Sequence, residues 1–224
     1  LGVLLCGVCL CLGMLSVMAS TSFTPTAYEK TVLKSAPNLN PTVLNDALLA
    51  YQAARKQGVS ITNPYLTVID YSLPSTAKRL WVIDIRHRRC LMNLLVTHAT
   101  KTGELYAHSF SNRLNSHKSS LGLYLTRNSY DGNEGYSLVL DGLEPGFNSN
   151  AKRRLIVMHS AWYATEHAAN QYGELGLSWG CPVVDPQYVH ALIDTIKEGS
   201  LVFVYYPNSY WLKYSRFLSS ARTV

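Results

Sequence analysis

Between residues 65 and 206 the apolar positions fall in short runs rich in Val, Ile, Leu and Tyr, separated by Pro, Gly, Asn and Asp. Runs of this kind predict strands. They cover Tyr65 to Tyr71, Arg79 to Ile85, Cys90 to Thr97, Leu121 to Thr126, Ser137 to Leu140, Leu155 to Met158 and Leu201 to Tyr206. Two stretches keep a helical period instead. Asn40-Pro41 supplies a cap and a first helical residue, after which Val43, Leu44, Ala47, Leu48 and Tyr51 share one face until Gly58. This predicts a scaffold helix within residues 40–60. Asp185 with Pro186 opens the second, which runs to Lys197 and stops at Gly199. No regular alternation of strand and helix is present, so the expected class is mainly β with few helices (α+β), built on an antiparallel or mixed sheet.

The ends of the chain read differently. Leu1 to Met18 is uncharged, and Val17-Met18-Ala19 places small residues around a cleavage point before Ser20. Residues 1–19 are therefore expected to be a secretory signal or a short anchor, which implies export to the periplasm or cell envelope. Residues 20–39, rich in Ser, Thr and Pro, read as an extended linker. Residues 61–210 hold the expected catalytic domain and residues 211–224 a tail. Removing the leading segment leaves Cys90 and Cys181, too few for a disulfide framework. Either the two pair, or one of them is a reactive thiol. Cys90, beside Leu91 and Met92, is most simply a buried strand residue.

Composition narrows the class. Apolar residues make up 47% of the chain and charged residues 15%, which excludes a disordered protein. The formal charge of +6 favours a polyanionic partner. Its basic residues, however, come in scattered pairs such as Arg88-Arg89 and Arg153-Arg154, without the interleaved aromatics of a nucleic-acid binder. A polymer bearing carboxylates suits the charge as well, and nucleic acid is not expected.

The chemistry concentrates between Arg154 and Pro182. A strand ends on His159, and a turn containing Gly176 and Gly180 precedes Cys181. Glycines permit a tight backbone whose N–H groups converge on one point, as a tetrahedral oxyanion requires. An imidazole beside a thiol would favour the thiolate, the attacking species. On residue types alone, a buried structural Cys with a hydrogen-bonded His fits equally well. A zinc site fits less well, because no Cys or His at ligand spacing accompanies Cys181.

His159-Ser160-Ala161 followed by Ser178-Trp179-Gly180-Cys181-Pro182 resembles the YkuD-type L,D-transpeptidase motif. It is most similar to the branch known as the murein L,D-transpeptidase catalytic domain family. Arg79 to Asp84, Phe110-Ser111-Asn112, Ser119 to Gly122, Ser137-Leu138, Gly142-Leu143-Glu144 and Gly146 extend the resemblance over most of Val68 to Pro207. The resemblance implies a β-rich catalytic fold with Cys181 as nucleophile, His159 as base and the Ser160 carbonyl orienting that base. It further implies oxyanion donors at Gly180 and Cys181, substrate contacts around Ser178 and Trp179, and for His98 either a place lining the cleft or, equally, a structural role. The implied partner is the peptidoglycan stem peptide, with neither metal nor organic cofactor, and carbapenems would acylate the thiol. Trp179 stands where His is usual and Val183 where Asn or Arg often follows, which bears on substrate contacts rather than on the nucleophile. The same resemblance accommodates an L,D-carboxypeptidase, or a non-catalytic murein-binding envelope protein. For His117 a solvated turn is expected rather than a second base, and for Trp162, Tyr163 and Tyr172 core packing by default, with a wall or lid of the acyl pocket as the alternative.

Overall fold

The computed structural model describes residues 26–222. The expected signal segment, residues 1–19, lies outside them. Eight strands form one mixed sheet in the order β3-β2-β1-β8-β4-β5-β6-β7. Their ranges are β1 Tyr65–Asp70, β2 Leu80–Asp84, β3 Arg89–Leu94, β4 Gly122–Gly132, β5 Gly135–Gly142, β6 Val157–Ser160, β7 Val183–Val184 and β8 Leu201–Tyr205. β1 runs parallel to β8, and β6 parallel to β7; the other pairings are antiparallel. β2 and β8 are buried at every position, which explains their unbroken apolar runs. Beyond β3 the chain curls back to the opposite edge, where the Thr97 N–H donates to the Val183 carbonyl at 2.9 Å. The sheet is therefore nearly a barrel, and the class expected from the sequence is the one observed.

Helix α1 spans Ala27–Leu33, α2 Pro41–Lys56, α3 Glu166–Tyr172, α4 Val189–Ile196, α5 Ser209–Tyr214 and α6 Arg216–Arg222. α2 is the expected scaffold helix. The Asn40 side chain accepts from the Thr42 N–H at 2.8 Å, and Val43, Leu44, Ala47, Ala50 and Ala54 are buried against the layer of β1 and β8.

Three expectations need correction. Part of the expected linker is helix α1, closed by a capping box in which Thr26 and Glu29 satisfy each other's backbone N–H. Val32, Ala36 and Leu39 of the same stretch are fully buried. The expected tail is also part of the body. Trp211, Phe217 and Leu218 are buried, α6 packs on α2, and the Trp211 indole donates to the buried Glu144 carboxylate at 3.2 Å. A few large apolar anchors outweigh weak local propensity in such short helices. The second predicted helix begins later than expected, at Val189, because Asp185 and Pro186 form a turn in front of it.

Candidate active site

β6 is laid between β5 and β7 by the buried run Ile156-Val157-Met158, and His159 follows at its end. His159 stands opposite Val183 of β7. Cys181 lies two residues before that partner, so strand pairing brings base and thiol to the same end of the sheet. Both line one groove of about 760 Å³, together with Arg154, Tyr163, Ser178 and Trp179.

The turn before Cys181 is fixed from two sides. The Ser178 N–H donates to the His98 carbonyl at 3.1 Å, and the Ser178 carbonyl accepts from the Thr100 N–H at 2.8 Å, which ties the turn to the segment 98–100 through an isolated bridge. The Ser178 hydroxyl then accepts from the Gly180 N–H at 3.1 Å and donates to the Cys181 carbonyl at 2.7 Å. Gly180 has a φ of +141°, and a Cβ there would lie 2.5 Å from Ile156 Cδ1, so both backbone and packing require glycine. This corrects the oxyanion expectation at one point. The Gly180 N–H is held by Ser178, whereas no acceptor among the described residues takes the Cys181 N–H.

His159 Nδ1 lies 3.2 Å from the Ser160 carbonyl, and a carbonyl only accepts, so Nδ1 carries the proton and Nε2 is left as a lone-pair base. Glu134 Oε2, from the tip between β4 and β5, is 3.9 Å from the same nitrogen. Burial holds His159 below its usual value, against the opposing pull of the Ser160 carbonyl and Glu134. Burial likewise pushes the Cys181 thiol up; the Val157 N–H and Arg154 pull it down, and Glu134 adds to the rise. The sulfur accepts from the Val157 N–H at 3.5 Å and faces the Leu155 carbonyl at 3.8 Å. Both directions favour the uncharged forms, thiol and neutral imidazole, at neutral pH.

Of the residues expected at the site, Cys181, His159, Ser178 and Trp179 meet in the groove, the Ser160 carbonyl contacts the His159 ring, and Gly180 shapes the turn. His98 is not among the residues that line the groove. It is completely buried beneath the turn, with Nδ1 accepting from Arg79 Nη2 at 2.8 Å and Nε2–H directed to the Gly103 carbonyl at 3.2 Å. Burial and the Arg79 charge hold it down at about 4. Trp179 is 74% exposed and stacks on His117, with ring centroids 4.8 Å apart. His117 is thus a stacking partner rather than only a turn residue. Tyr163 walls the groove and packs on Gly176, where a Cβ would lie 2.5 Å from its own. Trp162 and Tyr172 are exposed and not core. Cys90 donates to the Met92 carbonyl at 3.1 Å, and both cysteines are free thiols. Two groove residues, Arg154 and Glu134, carry no clear mark in the sequence. A scattered Arg pair and a charged residue in the tight Gly132-Asn133-Glu134-Gly135 turn are weak local signals.

Among the described residues, no group of three or more His, Cys, Asp or Glu could hold a metal ion. No curated protein matches the chain. Its structure is similar to an L,D-transpeptidase from Mycobacterium smegmatis, at 13% identity and a TM-score of 0.40 over 64% of this chain and 59% of that one. An L,D-transpeptidase from Stackebrandtia nassauensis overlaps at 10% identity and a TM-score of 0.39, over 81% of this chain and 77% of that one. The helical cell shape determining protein Pgp2 from Campylobacter jejuni does so at 10% identity and 0.43, over 73% and 57% respectively. The chain thus spans about three fifths of the length of the first of these. The sequence profile described as the L,D-transpeptidase catalytic domain matches residues 35–205, and with that span the chain belongs to the L,D-transpeptidase catalytic domain family.

Proposed function

We propose that the chain is a cysteine-dependent acyltransferase acting on peptidoglycan stem peptides. The observation that carries this reading is the fixed tautomer of His159, whose Nε2 is a free base in the same groove as the Cys181 thiol. In the first step, Nε2 takes the thiol proton as Cys181 Sγ attacks the carbonyl joining the third, L-configured centre of a tetrapeptide stem to its terminal D-Ala. The Cys181 N–H receives the developing oxyanion. The imidazolium then returns the proton to the leaving amine, D-Ala departs, and a thioester remains. An amine of a second stem next attacks the thioester, giving a 3-to-3 cross-link and restoring the thiol. Water in place of the amine would give the tripeptide and L,D-carboxypeptidase activity. The carboxylates of the stems suit the positive charge of the chain. Activity in the cell envelope after export is part of the proposal, supported by the uncharged segment from Leu1 to Met18.

Product analysis tests it. Purified tetrapeptide muropeptides incubated with the protein should yield a 3-to-3 cross-linked dimer and free D-Ala. Tripeptide without dimer would assign the carboxypeptidase activity, and unchanged substrate would favour a binding protein.

A further inference from the structure

Arg154 lines the groove without an acidic partner among the described residues. Arg127 pairs with Asp141, Lys78 with Glu166 and Lys197 with Asp194, but no carboxylate among the described residues lies within ion-pair distance of Arg154. Its guanidinium is half-buried and held by neutral acceptors only. Nη1 donates to the Ser111 carbonyl at 2.8 Å and the Ser120 hydroxyl at 2.5 Å, and Nη2 donates to the Lys118 carbonyl at 2.5 Å. Of the five N–H donors of a guanidinium, two remain, the Nε–H among them, enough to grip a carboxylate. A charge drawn out of water without a counter-ion carries a desolvation cost that an incoming anion offsets.

The position is equally specific. Arg154 lines the groove with Cys181, and Nη2 packs against Gly180, where a Cβ would lie 3.2 Å from it. The αL conformation of the following Leu155, φ 55°, bends the chain between Arg154 and β6. Across the groove stands Glu134, 66% exposed, near the His159 ring. The groove is thus polarised, with a cation beside the nucleophile turn and a carboxylate beside the base. A bound anion is drawn to the first and repelled by the second.

We infer that Arg154 docks the free carboxylate of the residue leaving the stem, so that the enzyme cleaves one residue from a free carboxyl terminus. This rests on the acyl-transfer reading above and names the group that selects its donor. Arg154 does not move a proton; it positions the scissile carbonyl over Cys181 by holding the end of the substrate.

Two measurements separate this inference from the reading beneath it. The first uses the thiol alone, comparing alkylation of Cys181 by anionic iodoacetate and by neutral iodoacetamide, with the adduct mapped by peptide mass. Arg154→Gln should lower the iodoacetate-to-iodoacetamide rate ratio about tenfold, Arg154→Lys should restore part of it, and Glu134→Gln should raise it. The second compares the tetrapeptide stem with its carboxyl-terminal amide on the unaltered protein. Acylation should favour the free acid by about tenfold or more, the scale of a charge-assisted hydrogen-bonded pair, and Arg154→Gln should erase the preference. Equal rates on acid and amide, or a reagent ratio unmoved by Arg154→Gln in a protein that keeps its circular dichroism, would overturn the inference. A shifted ratio with neither stem acylated would leave anion docking supported and overturn the acyl-transfer reading instead.

Discussion

Two histidines flank the turn that carries Cys181, His159 in β6 and His98 in the segment after β3, and their surroundings could hardly differ more. His98 lies under the turn before Cys181 with no exposed surface and both ring nitrogens engaged, one by Arg79 and one by the Gly103 carbonyl. His159 lines the groove with one nitrogen engaged by the Ser160 carbonyl, and the other takes no hydrogen bond among the described residues. Burial holds both rings neutral. What separates them is completeness of hydrogen bonding. A saturated imidazole is a structural part, whereas an imidazole with its tautomer fixed and one lone pair unclaimed can take a proton. The arginines repeat the contrast. Arg79 is fully buried, bonded to the Leu73 and Val96 carbonyls and stacked over Tyr71, whereas Arg154 keeps donors free beside the thiol.

Exchanging the roles by mutation should give opposite signatures. His159→Ala is expected to slow acylation of Cys181 by about a hundredfold or more, the scale of a positioned proton-transfer group, with little change in melting temperature. Rapid-quench mass measurement of the acyl-enzyme checks the first and calorimetry the second. His98→Ala should do the reverse. It strips the buried Arg79 of a partner and is expected to lower stability by about 3 kcal/mol, read as a shift in urea midpoint, while any protein that remains folded still acylates.

The pH dependence sharpens the same distinction. His98 takes up its proton at about 4 when folded and near its ordinary 6.5 when unfolded. Between those values the unfolded chain binds a proton that the folded one refuses, so stability is complete above 6.5 and falls as the pH drops toward 4. The loss amounts to roughly 3 kcal/mol, because one proton taken up only by the unfolded chain costs the fold about 1.4 kcal/mol per pH unit. Removing the ring in His98→Ala should flatten that part of the stability profile. Acylation follows His159 instead. Its rate should rise with pH as Nε2 becomes free, with a midpoint below the ordinary histidine value because the folded ring is held down. No further rise is expected at neutral pH, since burial keeps the thiol protonated there. A midpoint above 6.5 would mean that an ion pair forms before substrate binds.

The smallest effect is expected at Cys90. The thiol sits in β3 beside an irregularity in the β2 pairing, where Val82 faces Met92 and Ile83 faces Cys90. Cys90→Ser should cost about 1 kcal/mol and leave acylation unchanged, which chemical denaturation and the same mass assay would show. Loss of acylation in folded Cys90→Ser would tie the two thiols together.

How much of this was legible in the sequence follows from which forces are local. β1, β2 and β8 are readable as apolar runs because the layers around them bury nearly every position. The two-residue β7 is not, since it exists only through its pairing with β6. α1 carried a readable sign, Thr26 three residues before Glu29, masked by the surrounding Ser, Thr and Pro. The motif around Cys181 and His159 located the groove. It could not separate His98 from His159, because both follow apolar runs in the sequence and only the tertiary partner Arg79 distinguishes them. Nor could it find Arg154 and Glu134, whose meaning arises from elements distant in sequence that face each other across the groove.

The central claim is that Cys181 is the nucleophile, and site-resolved mass spectrometry after mixing with a tetrapeptide stem or a carbapenem tests it most directly. The adduct should map to Cys181 and vanish in Cys181→Ala, whose fold should persist because that side chain contributes little apolar core. An adduct on any other residue, or undiminished turnover by Cys181→Ala, would contradict the account.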